Sequence, residues 1–289
     1  MLKVTLWGTR GSVPVSGAQF LRHGGATTCV EIEIFDGLAQ TPKRVIIDCG
    51  TGLAELGKHH GFGCREALFL QTHMHWDHIQ GFPFFTPLFN PAARFDFRAV
   101  SRDGLSFREV LNAQMKKPTF PVGLDIVPAR LSFEELAPEG VSSSGELTVR
   151  WTELCHPSGS TGFRLDYRGA SVVFTGDVEV RHGCWDALVE LARGADVLIM
   201  DAQYFPEEYA SREGFGHSTV LDAVEVAREA GVGRLVLTHH DPSHDDARLD
   251  QKLAMARWAA GPRLAVDNGF ERQSFELGAP AFQFAQDAV

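Results

Sequence analysis

Four side chains of metal-binding type fall within six positions of the run THMHWDH: His73, His75, Asp77 and His78. A surface loop could gather them by accident, or Asp77 could merely cap a helix. The flanks argue otherwise. EALFLQT before them is a short apolar run of the kind that forms a buried strand, while Gly81 and Pro83 punctuate the chain after them. The four therefore stand where a core strand ends, which is where open α/β sheets hold their ligands. On an extended segment His73 and His75 project to the same side. Asp77 and His78 follow as the chain turns and aim at a second point nearby. Imidazole nitrogens and carboxylate oxygens are ligands for a divalent transition metal, and a catalytic site keeps one position open for water.

Such a site needs more donors, and other strand ends supply them. His156 closes VRWTELCH, Asp177 closes SVVFTGD and His239 closes GRLVLTHH. Each alone could be a turn or cap residue. Together, at the same end of successive strands, they complete two sites. His240 competes with His239 for the last position, and spacing does not choose between them.

The elements that must carry these residues are legible as strand-like runs: LKVTLWG, TTCVEIEIF, RVIIDCG, EALFLQTH, ELTVRWTELCH, TGFRLDY, SVVFTGD, DVLIMDA, RLVLTHH and RLAVDNG. Helical periodicity appears in CWDALVELARGA, STVLDAVEVAREAG and DDARLDQKLAMARWAAG, each closing near a glycine. Two mixed sheets packed face to face with helices outside fit this order. The 289 residues read as one domain, without an internal repeat or a low-complexity linker. One Phe- and Pro-rich stretch, about 81–141, departs from the pattern. It should hold a strand (FDFRAV), a helix (SFREVLNAQM) and an irregular excursion. That excursion either packs its phenylalanines (Phe82, Phe84, Phe85, Phe89, Phe120) into a satellite core or walls the pocket.

A formal charge of −10 speaks against broad nucleic-acid binding, although bound cations would reverse the sign inside a pocket. Five scattered cysteines without a C-x-x-C pair suggest reduced thiols and a cytoplasmic location. The N-terminus enters a strand pattern directly, and no apolar run reaches membrane-spanning length.

THMHWDH resembles the H-x-H-x-D-H motif of the metallo-β-lactamase superfamily, and His156, Asp177 and His239 follow in that family's order. The resemblance runs from LWGTRGSVP to VLTHH. It implies an αββα sandwich with two divalent ions in the cleft between the sheets, zinc first, with manganese or iron as alternatives. By carry-over His73, His75 and His156 hold one ion, Asp77, His78 and His239 the other, and Asp177 bridges them. GFGHSTVLDAVEVAREAGVGRLVLTHH and GTRGSVPVSG...RHGGATTCVEI are similar to the branch of tRNA 3′-end endonucleases and small cyclic phosphodiesterases. Two departures matter: the stretch from His156 to Asp177 is too short for the endonucleases' tRNA-binding arm, and the N-terminal zinc-binding cysteines of phosphoribosyl cyclic phosphodiesterases are lacking.

The resulting expectation is a dinuclear metal hydrolase cleaving small, including cyclic, phosphodiesters through a metal-activated hydroxide. A tRNA or RNA 3′-end endonuclease and a carboxylic or sulfate ester hydrolase are the alternatives. His217 in GHST is the candidate acid for the leaving alkoxide, or else a neighbour of the helix cap offered by Ser218 and Thr219. Asp77 can orient the proton or the water while ligating metal. Asp201 can orient a histidine or cap a turn, and Asp48 resembles a family position behind the metal histidines. Arg10 and His23 can touch phosphate, though solvated loop residues are the plainer reading; His244, Asp245 and Asp246 begin the last helix. The expected partner is a small-molecule phosphodiester, with no membrane, nucleic acid disfavoured and a homodimer admissible.

Overall fold

The computed structural model describes residues 1–37 and 41–278. Apolar alternation along the strands builds two seven-stranded sheets among these residues. The first runs β14 (Ser274–Leu277), β1 (Leu2–Gly8), β2 (Cys29–Ile34), β3 (Lys43–Ile47), β4 (Glu66–Gln71), β5 (Arg94–Val100) and β6 (Arg130–Leu136). The second runs β13 (Ala265–Asn268), β12 (Arg234–Thr238), β11 (Val197–Asp201), β10 (Ala170–Phe174), β9 (Ser160–Tyr167), β8 (Leu147–Leu154) and β7 (Gly140–Ser144). Each sheet has an antiparallel part and a parallel part: β3 to β6 and β10 to β13 are parallel. The expected αββα sandwich of two mixed sheets is the architecture found.

Three apolar layers hold it. Between the sheets, Leu6, Ile32, Val45 and Leu70 of the first meet Phe163, Phe174, Ile199 and Val236 of the second. Outside the second sheet lie α3 (Trp185–Ala192), α5 (Val220–Ala230) and α6 (Asp246–Ala260), burying residues such as Leu188, Val224 and Ala256. Outside the first lie α1 (Gly52–His60) and α2 (Phe107–Gln114). The helices begin where their caps dictate. Thr219 and Asp222 form a reciprocal capping box for α5, and the Asp245 side chain accepts the Arg248 N–H at the start of α6.

The stretch 81–141 holds the expected strand (β5) and helix (α2), and its expected irregular part contributes one further strand, β6, and the start of β7. β5 and β6 extend the first sheet in parallel register, and Phe82, Phe85, Phe95 and Phe97 enter its outer core rather than a satellite. Phe84 and Phe89 stay exposed. β6 (RLSFEEL) is an edge strand with alternating, mostly charged exposure, and β7 (GVSSS) is small and polar. Neither carries the continuous apolar run of a central strand, so both read as irregular in the sequence. The β9–β10 link is a two-residue turn, Arg168–Gly169, with both residues at positive φ, as tight hairpins require.

Candidate metal centre

The site lies where the C-terminal ends of β4, β8, β10, β11 and β12 meet. β4 delivers His73, His75, Asp77 and His78 across the end of the first sheet. The second sheet delivers His156 after β8, Asp177 after β10, Asp201 at the end of β11 and His239 after β12. All seven residues expected as ligands converge, and they sort into two clusters whose donor atoms lie within 4.8 Å of one another: His73, His75 and His156, then Asp77, His78, Asp177 and His239. A third, overlapping group joins Asp177 and His239 to Asp201 and His217.

The donor atoms face inward. His156 Nε2 and His75 Nδ1 are 2.9 Å apart. His78 Nε2 and His239 Nε2 approach to 3.4 Å. Asp177 stands between the clusters with one oxygen for each. Its Oδ2 is 3.5 Å from His73 Nε2 and 3.8 Å from His156 Nε2. Its Oδ1 is 3.2 Å from His78 Nε2 and 3.1 Å from His239 Nε2. Asp77 Oδ2 completes the second cluster, 3.3 and 3.2 Å from the same two nitrogens. His240 takes no part; its Nε2–H donates to the Gly269 carbonyl at 2.9 Å. His239 is therefore the strand-end histidine that reaches the cluster.

The donor set fits divalent cations. His73 Nε2 is buried yet has no hydrogen-bond partner, a costly state that a bound ion relieves. Burial keeps His73 and His75 below their ordinary pKa and pushes His156 down to about 4, so all three offer neutral lone pairs near neutrality. The second cluster is the acidic one. Burial would raise Asp77 and Asp177, but the surrounding histidines hold both below the carboxylate range. Burial would likewise lower His239, yet the Asp177 and Asp77 carboxylates raise it to about 10, and they act on His78 in the same direction. A cation there would take the place of those protons.

Four of the candidate ligands are braced from behind. Asp48 Oδ2 accepts from His78 Nδ1 at 2.7 Å, and the Thr72 hydroxyl is bound to the same carboxylate. This is the supporting position the resemblance implied for Asp48. Gln203 Oε1 accepts from His239 Nδ1 at 2.9 Å, directing His239 Nε2 inward. The Gly216 carbonyl does the same for His156 Nδ1 at 2.8 Å. The Ser12 amide donates to Asp77 Oδ2 at 2.8 Å. Gly11 and Gly216 must be glycine: a Cβ would stand 2.3 Å from His239 Nδ1 at the first and 2.2 Å from His156 Nδ1 at the second.

Beside the clusters, His217 Nδ1 donates to Asp201 Oδ2 at 2.8 Å, and its ring stacks on His239 at 4.7 Å. Of the two residues expected to offer the cap of α5, Thr219 does so, and His217 stands two positions before it. Asp201 also accepts the amides of Val178 and Gln203. The N-terminal turn behaves differently from expectation. Arg10 is fully buried rather than solvated, and it donates to the carbonyls of Gly24, Asp241 and His244. His23 is buried against Asp246. Both are tied up in the scaffold beneath the site; from that turn it is Ser12 that reaches the cluster. Gln203, Ser12 and Gly216 gave no sequence signal, because a positioning contact made through space by an amide or carbonyl has no characteristic spacing.

Residues 43–240 match the model of the beta-lactamase superfamily domain. The chain belongs to the metallo-β-lactamase superfamily. Among curated members, a ribonuclease Z from Mycolicibacterium gilvum (strain PYR-GCK) is 27% identical, with 96% of this chain and 98% of the relative covered. Among solved structures, the metallo-β-lactamase fold protein YhfI from Bacillus subtilis superposes with a TM-score of 0.69 at 19% identity, covering 95% of this chain and 98% of the other. A diphosphatase of the PhnP family gives 0.67 at 19% identity, covering 96% and 98%. Membership in this superfamily, together with the two donor clusters, makes the chain a metal-dependent hydrolase with a dinuclear centre. No helix among the described residues is long and apolar enough to cross a membrane.

Proposed function

We propose that this superfamily member hydrolyses small phosphodiesters, cyclic ones included. His73, His75 and His156 would hold one divalent ion, Asp77, His78 and His239 the other, with Asp177 shared and zinc the first candidate. When bound, such a pair supplies hydroxide at neutral pH and offsets the charge that builds on the phosphoryl oxygens. The chain's own residues do the rest. Asp77, fixed by the Ser12 amide, orients the attacking group. Asp201 holds His217 with its proton on Nδ1, so the proton passed to the departing alkoxide comes from Nε2. The alkoxide leaves as an alcohol, and the water's second proton restores His217.

The observation that carries this reading is the His217–Asp201 pair set against the metal clusters. A phosphodiester expels a poor leaving group that needs a proton, whereas a thioester expels a thiolate that does not. Small size is supported separately. The whole link between His156 and Asp177 is the β9–β10 hairpin with its two-residue turn, which leaves no arm to grip RNA. A cavity of about 180 Å³ adjoins His73 and His75, walled by Arg102, Leu105 and Val110 on one side and Ser158 on the other. It suits a compact substituent. The chain carries a formal net charge of −10, which would repel a polyanion. We read the protein as cytoplasmic, in keeping with its five free cysteines.

A second reading, RNA 3′-end cleavage, is favoured by the name ribonuclease Z borne by the curated relatives. The metal-loaded enzyme should be offered cyclic nucleotides, bis-p-nitrophenyl phosphate, a thioester, a lactone and precursor tRNA. Turnover of the small diesters above all others is the expected result. Site-specific trimming of tRNA with no turnover of small diesters would promote the second reading, and preference for the thioester or lactone would sink both.

A further inference from the structure

The segment between α4 (Pro206–Tyr209) and His217 is a mostly exposed loop, yet its last two residues are buried and touch the site. Gly216 gives its carbonyl to His156 Nδ1–H, and His217 stacks on His239. An exposed loop with two glycines, Gly214 and Gly216, does not hold a carbonyl in place unaided. What fixes it is a carboxylate outside the metal clusters. Glu179, only 2% exposed, accepts the Gly216 N–H through Oε2 at 2.8 Å. Its Oε1 accepts the Gly214 N–H at 2.9 Å and the Tyr209 hydroxyl at 2.7 Å. Its own amide donates to the Cys155 carbonyl at 2.8 Å, immediately before His156. Glu179 thus grips both sides of the His156 ring: the strand end that bears it and the loop that receives its Nδ1 proton.

We infer that Glu179 is a positioning residue. It presents the Gly216 carbonyl to His156 and so keeps His156 Nε2 directed at His73 and His75, while the same grip seats His217. The inference rests on reading those three histidines as ligands of one ion. Three donors converging on one carboxylate make the geometry specific: an amide in its place would turn an N–H toward a backbone N–H. The role is selective as well. Among the described residues none of Glu179's hydrogen bonds reaches Asp77, His78 or His239, so its loss should weaken one cluster and spare the other.

The test uses the full chain loaded with Co²⁺, with metal affinities from chelator competition, the visible Co²⁺ spectrum, and thermal melting as a check on folding. Glu179→Gln should weaken one of two ions by about 10–100-fold, the usual effect of removing a group that supports a metal ligand. The spectrum of that ion should change while the second stays in place, and Glu179→Asp should recover part of the loss. Gly216→Ala, which sets a methyl against the same His156 ring, is the independent second route and should weaken the same ion. If both variants fold and both ions bind as in wild type, the inference is overturned. It is equally overturned if the two ions weaken together in step with the melting temperature, since that is plain destabilisation. His73→Ala separates the layers: if it leaves both ions in place, the ligand reading itself fails. If it removes one while Glu179→Gln and Gly216→Ala remove none, only the role of Glu179 fails.

Discussion

The two sheets contribute to the site in opposite ways. The first places four donors within six positions after one strand, β4. The second spreads His156, Asp177 and His239 over three strand ends, with Asp201 and His217 among them. A contiguous set is positioned by one turn of backbone. A dispersed set is positioned only once its strands have paired and each side chain has been braced separately, as Gln203 and the Gly216 carbonyl do. The contiguous half should therefore be robust to changes elsewhere, and the dispersed half should depend on its supports.

Removing donors gives the largest effects and separates the halves. Asp177→Ala should cost both ions, because its two oxygens face different clusters, whereas His75→Ala should leave about one equivalent by elemental analysis. Activity on a cyclic diester should fall by more than about 10³-fold in each case, beyond the 10²–10³ that one lost transition-state donor costs. Equal metal content in the two variants would break the idea that the clusters are separate.

Next comes His217→Ala, which should keep both metals and the fold. The rate should drop by about 10²–10⁴-fold for an alkyl leaving group and little for p-nitrophenolate, which departs without a proton. Equal losses would assign His217 to substrate placement instead.

The supports come third. Asp48→Asn behind His78 and Gln203→Ala behind His239 brace the same cluster from the contiguous and dispersed sides. Each should lower metal affinity by about 10–100-fold. The comparison predicts the larger loss for Gln203→Ala, because His78 keeps its place through the backbone of its own turn. A larger loss for Asp48→Asn would reverse it.

The smallest effect on activity should come from Lys252, which is fully buried and donates to the carbonyls of Ala202 and Gln203 under the dispersed half. Burial lowers its pKa from 10.5 to about 7. Between those values the unfolded chain retains a proton that the folded chain has released, so stability from this residue rises with pH across that window. Below about pH 7 the cost of burying the charge is fully in force. Lys252→Met should flatten this slope in denaturant midpoints measured at pH 7 and pH 9 with metal held constant. An unchanged slope would show that the amine stays protonated in the fold.

The same contrast explains what could be read from the sequence. THMHWDH announced itself because four donors and a preceding apolar strand are adjacent, and His156, Asp177 and His239 were legible as polar residues closing apolar runs. The choice of His239 over His240 was not. It depends on His239 adopting a left-handed backbone (φ 56°), which turns its ring into the cluster and leaves His240 facing Gly269. Arg10 differs for a similar reason: its charge suggests solvent, but the carbonyls of Gly24, Asp241 and His244 hold its Nε and Nη1 inside. β6 and β7 escaped notice because edge strands need little apolar surface.

Asp177 has one more consequence. Because Oδ1 belongs to one cluster and Oδ2 to the other, whatever occupies the first place sets the orientation and charge of the group that must serve the second. The two binding events are then thermodynamically linked, and by reciprocity each alters the other's constant by the same factor. A calorimetric titration of the stripped protein should refuse to fit two independent isotherms, and removing the carboxylate should abolish the linkage along with the affinity.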